Sequence, residues 1–264
     1  MEWGRKVIAG MLSLFLMFAF VQSLGGYLIE QLRLNGGQVV EQPAEEKIIR
    51  QMVLQLDPVE YYTVQVGAYQ TAAEGQMRVN ELAALGYRVW VSQGPPYQLW
   101  LGCFGKAPAL ADLPEAIRTN GDVFVQKQIL NETTFKFATA ERQTMEQVAA
   151  LLSSLNVVLT HSLQMFQDYR YDACAAQTWA DMTAQIAEEL AQIQSHGDVL
   201  LQACEAEAVQ TALTSLLDAA AQYQERLALI PEKQSDQAVL LAQSCLLELI
   251  ARYHHCMTQC SVHQ

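Results

Sequence analysis

Between Thr139 and Cys260 the chain carries one proline, Pro231, and one glycine, Gly197. Ala, Leu, Gln and Glu dominate that stretch, and all four are strong helix formers. The C-terminal half is therefore confined to an all-α arrangement. A first helix over 140–169 has an apolar stripe through Met145, Val148, Leu152, Leu155, Leu159, Phe166 and Tyr169. A second over 172–195 uses Trp179, Met182, Ile186, Leu190 and Ile193, and His196-Gly197-Asp198 reads as a turn. A third reaches Leu229, Pro231 breaks the chain, and a fourth starts at Ser235 or Asp236 and runs past Tyr253. Short turns favour an antiparallel four-helix bundle over 138–260, with two tandem hairpins as the alternative.

The opposite end is apolar. Val7 to Ile29 is 23 residues without a charge, reaching roughly 35 Å as a helix, enough for a hydrocarbon core of about 30 Å. Arg5 and Lys6 precede it, so the N-terminus is expected inside and the rest of the chain outside. The rival is a signal peptide cut near Val21-Gln22-Ser23, but the apolar run continues past that point. Residues 1–34 thus read as tail and anchor of the cytoplasmic membrane. Residues 35–59 read as a spacer with a short helix over Glu46–Leu56, ended by Asp57-Pro58.

Charge narrows the partners. The chain has 16 basic and 28 acidic side chains, net −12. Residues 132–264 hold 6 basic against 16 acidic, net −10. Nucleic acid needs a basic face and is excluded as a general partner.

Residues 60–130 change period. Tyr62–Val66, Tyr87–Val91, Tyr97–Leu101 and Val123–Val125 read as strands, Thr71–Leu85 and Ala109–Thr119 as helices, and Gly86 as a helix end. The order is β-α-β-β-α-β, and the whole chain is α+β. Tyr62-Thr63-Val64-Gln65-Val66-Gly67-Ala68-Tyr69 resembles the opening of a SPOR (sporulation-related repeat) domain. Leu82-Ala83-Ala84-Leu85-Gly86-Tyr87 is similar to that family's Leu-x-x-x-Gly-Tyr element. Tyr97-Gln98-Leu99-Trp100-Leu101-Gly102-Cys103-Phe104 is similar to its second signature, with Gln98 where the family often has Arg and Cys103 where it often has Pro. The resemblance implies a ribonucleoprotein-like sheet backed by two helices. It further implies binding of peptidoglycan glycan strands stripped of stem peptides, often at the division septum, on the free sheet face.

Strand alternation places Val64, Val66, Val89, Val91, Leu99, Leu101, Val123 and Val125 toward the helices. The other face carries Thr63, Gln65, Arg88, Trp90, Gln98, Trp100, Phe124 and Gln126. Three large aromatics there suit stacking on sugar faces, with Gln and Arg bonding to hydroxyls. The bland reading is that this face packs on the helical half or on a protein partner.

No nucleotide, zinc-protease or Glu-x-x-His di-iron pattern occurs, and no enzyme or cofactor is expected. His254, His255, Cys256, Cys260 and His263 form the one metal-like grouping, but its spacing is not the usual zinc pattern, so no metal is assigned. Counting outward from Pro231 puts Cys204 level with Cys256 or Cys260, a candidate disulfide. The principal expectation is a membrane-tethered, extracytoplasmic glycan-binding protein of cell division, sporulation or the envelope. Its helical half would engage an envelope or divisome protein. The alternative is an interaction scaffold whose sheet packs on protein.

Overall fold

A computed structural model describes residues 49–261, apart from 55, 93, 119–122, 131–132, 139–141 and 169. The expected anchor 7–29, most of the spacer and His263 lie outside the described residues.

Strand β1, Ile49–Leu54, pairs antiparallel with β6, Thr133–Ala138, so that Ile49 faces Ala138 and Leu54 faces Thr133. This replaces the short helix expected over Glu46–Leu56. Ile49 and Val53 fit a helical stripe on spacing alone, but β-branched residues favour extended chain once a partner strand is present.

The main sheet contains β2 (Val59–Tyr69), β3 (Trp90–Val91), β4 (Tyr97–Phe104) and β5 (Phe124–Leu130). Its order is β3-β4-β2-β5 and every pair is antiparallel. Helix α1, Ala72–Ala84, starts with a reciprocal cap between Thr71 and Glu74 and ends before Gly86, whose φ of +85° suits glycine. The second helix is shorter than Ala109–Thr119. A 3-10 turn at Leu110–Asp112 is followed by α2, Glu115–Arg118. Leu113, held extended by the following Pro114, separates the two. Val64, Val66, Leu99 and Leu101 meet Leu82, Leu113 and Ile117 in a small dry core between sheet and helices.

Four helices follow: α3 (Arg142–Met165), α4 (Ala176–Ala203), α5 (Glu207–Lys233) and α6 (Asp236–Ser261). Each packs on the next, and α6 also reaches α3, giving an all-α bundle. The expected turn at His196-Gly197-Asp198 is continuous helix; the chain reverses at Cys204-Glu205-Ala206 instead. Gly197 is there for packing, since an added Cβ would sit 2.5 Å from Leu217 Cδ2. Pro231 lies within the last turn of α5 rather than at its end, and Gln234, at φ 48°, closes the helix. One described helix, α3, is long and apolar enough to cross a membrane. Leu152, Leu155 and Leu159 on it are fully buried in the bundle core.

Sheet and bundle form one compact unit. Helix α6 lies against β4 on the face turned away from α1 and α2, and α3 approaches β2 on that side. The contact depends on a bulge. Gln65 faces Trp100 and Thr63 faces Cys103, so Leu101 and Gly102 together oppose Val64. Gly102 and Cys103 are thereby both brought to α6: an added Cβ at Gly102 would be 3.0 Å from Gln243 Cβ, and Cys103 Sγ lies 3.6 Å from the Gln243 carbonyl. Gly105 N donates to the Phe166 carbonyl at 2.9 Å, and a Cβ there would strike the Leu163 carbonyl. Polar ties join the same surfaces. Gln237 Nε2 donates to Gly86 O at 2.8 Å, and Asn156 Nδ2 to Asp57 O at 3.1 Å.

Two stability outcomes follow from this packing. Gly105→Ala should cost about 1–3 kcal/mol, because a backbone carbonyl cannot swing aside as a side chain can; an unchanged denaturant midpoint would contradict the close approach. Burial pushes the hydroxyls of Tyr61, Tyr223 and Tyr253 and the thiol of Cys103 above their ordinary values of 10.0 and 9.0. The folded chain then holds protons that the unfolded chain releases, so stability is intact below those ordinary values and falls as pH rises past them. A melting temperature constant from about pH 8 to pH 11 would disprove it.

Candidate functional site

Beyond the Gly102 contact, the outer sheet face and the later turns of α6 bound a groove of about 610 Å³. Its sheet wall is Tyr61, Thr63, Trp90, Gln98, Trp100 and Gln128. Its helix wall is Leu247, Ile250, Ala251, Arg252, His254 and His255. Trp90 and Trp100 are direct register partners on β3 and β4, so the two indoles share one face. The groove thus combines flat aromatic surface, amide side chains and cationic or titratable nitrogen. Burial, reinforced by nearby Cys103, holds the Tyr61 hydroxyl protonated as a hydrogen-bond donor.

The expected open face is covered over much of its area, which corrects the sequence reading. Thr63, Gln65 and Trp100 are only 3%, 6% and 7% exposed. Thr63 Oγ1 lies 3.5 Å from the Gln126 carbonyl, and Gln65 Oε1 accepts from Gln126 Nε2 at 3.3 Å. Arg88 is committed to α6: Nη2 meets Glu248 Oε2 at 2.7 Å and Nη1 lies 3.2 Å from Cys245 Sγ. Trp90 and Gln98 are half-buried and line the groove, whereas Phe124, 53% exposed, stands outside it. The cause is the apolar stretch of α6 through Leu246, Leu247 and Ile250, which removes its own surface from water by lying on the sheet.

Tyr61, Gln128 and Arg252 are not among the residues the sequence singles out, and His254 and His255 enter there only as part of the metal-like grouping, not for glycan binding. Tyr61 shares the parity of Thr63 and Gln65 and was within reach of the strand argument. The α6 residues were not, since nothing in their local pattern says which sheet they will meet.

The metal-like tail is divided by the helix. His254 and His255 are exposed toward the groove, while Cys256 and Cys260 are buried among apolar side chains. No group of three or more metal-ligating side chains occurs among the described residues. All six cysteines are thiols in the structure. The Cys256 thiol is pushed up, first by its hydrogen bond with Cys260 and then by burial, with Cys204 close enough to add to the effect. Cys204 occupies the α4–α5 turn, at the end of the bundle where α6 finishes. Oxidation should therefore join Cys204 to Cys256 or Cys260, closing a loop of about 50 residues worth on the order of 4 kcal/mol. Non-reducing peptide mapping checks this: a Cys103–Cys245 link, or no link to Cys204 after full oxidation, would refute the placement.

No protein-family model matches the chain, and neither the curated proteins nor the solved structures yield a match.

Proposed function

We propose that this chain is a non-enzymatic, membrane-tethered protein of the bacterial envelope that takes a glycan strand into the groove rather than across an open sheet. The observation that supports the reading is the groove itself, which keeps Trp90, Gln98 and Trp100 along one wall. Indole faces stack on the apolar faces of sugars, and amides bond to hydroxyl and acetamide groups. The motif resemblance over 60–129 and the strand order β3-β4-β2-β5 favour a SPOR-like module. The apolar run Val7–Ile29 is the proposed tether to the cytoplasmic membrane, with the sheet and bundle outside.

A second reading has its own support. Gln65 and Trp100, which are central to an open glycan surface, are buried on the bundle side of the sheet, and this favours a scaffold whose sheet serves mainly to hold the bundle. Sedimentation of the full chain with peptide-stripped wall glycan separates the two. Trp90→Ala is the informative variant, because Trp90 is half-buried at the groove. Trp100 belongs to the main core, and truncating it should itself cost about 3–5 kcal/mol. With circular dichroism unchanged, Trp90→Ala should weaken glycan binding about 5- to 150-fold, by analogy with the loss of one stacked base. Native chain that leaves the glycan in solution would overturn this reading and favour the scaffold.

A further inference from the structure

The charge of the groove departs from that of the molecule. The chain is net −12, and residues 132–264 are net −10. Yet among its described lining residues the groove has Arg252, His254 and His255 and no Asp or Glu. Glu248, the acid one turn before Arg252, holds Arg88 at 2.7 Å and stands 3.9 Å from Arg252. Two guanidinium groups thus share one carboxylate, leaving one positive charge in excess beside the groove. The aromatic wall is on the sheet and the cationic wall is on α6, so an occupant of the groove meets both.

We infer that the groove selects a sugar chain bearing carboxylates, its rings against the half-buried Trp90 and its negative charge against Arg252, with His254 and His255 as further hydrogen-bonding groups on the same wall. This rests on the glycan reading above and adds the charge requirement. A neutral sugar chain fills the aromatic wall but leaves the Arg252 guanidinium with only the carboxylate it shares with Arg88. A carboxylate can take a charge-assisted bond from the Arg252 guanidinium, which is stronger than a neutral hydrogen bond.

The full chain in detergent is titrated with three probes of similar length. These are peptide-free wall glycan with its lactyl carboxylates free, the same glycan after carbodiimide coupling to methylamine, and an N-acetylglucosamine hexamer. The free-carboxylate glycan should bind about ten-fold or more tightly than either neutral probe, the size of one charge-assisted bond. Arg252→Gln/His254→Gln/His255→Gln should bring the three probes together, and Arg252→Lys, which keeps the charge, should retain part of the difference. These side chains are half-exposed or exposed, and circular dichroism verifies that the variants fold. Equal binding of charged and neutral glycan by the native chain would overturn the inference and leave the glycan reading standing. Binding of none would overturn both. Polyglutamate binding as tightly as the charged glycan would also overturn the inference, because the sugar would then not be read.

Discussion

The meeting of α6 with β4 is the contact on which the rest of the structure depends. It brings backbone and helix into tight approach at Gly102 and lets the Gly105 turn reach α3, where a side chain at Gly105 would strike the Leu163 carbonyl. The β4 bulge then turns Cys103 to the same side as Gly102, although strict alternation would point it at α1. Once α6 is seated, β4 is dry on both faces from Leu99 onward: Leu99 and Leu101 lie in one core, Trp100 and Cys103 in the other. The outer face of the sheet and the bundle consequently share one core, while the inner face and its helices keep a second, within a single compact unit.

The same contact settles how polar side chains on β2 are accommodated. Thr63 and Gln65 lose water when the bundle packs on the sheet, and a buried polar group costs free energy unless it finds a partner. Both find one in Gln126 on the neighbouring strand. Arg88 is treated likewise, its charge met by Glu248 from the helix that covers it. Residues suited in type to bonding a ligand are spent on holding two layers together.

This explains what was legible in the sequence. The helical half was readable because helix propensity and a 3.6-residue apolar stripe are local signals; the four helices emerge, but the reversal between the second and third lies at Cys204–Ala206 rather than at His196–Asp198. Gly197 misled because its role is tertiary: it makes room for Leu217 and has nothing to do with a turn. The inward sheet face was readable from alternating Val and Leu. The fate of the outward face was not, because Thr63 and Gln65 look like solvent residues wherever no partner layer is in view. β4 did contain a hint. From Leu99 to Phe104 it has no strongly polar side chain, which suits a strand covered on both sides better than one with a wet face. The strand pairing of Ile49–Leu54 with Thr133–Ala138 joins segments far apart in the chain, and neither announces the other.

The groove inherits a property from its construction. Its aromatic wall comes from residues before 130 and its cationic wall from residues after 246, so neither part of the chain possesses the site by itself. A ligand that touches both walls binds only the arrangement in which α6 lies on the sheet. Mass action then requires that binding stabilise this docking by RT ln(1 + [L]/Kd), about 2.7 kcal/mol at a hundred-fold excess over Kd. An open sheet face would offer no such coupling, because its ligand would be indifferent to the bundle. Under the proposed function, covering most of the face would therefore make occupancy of the remaining groove and the packing of the helical half one equilibrium.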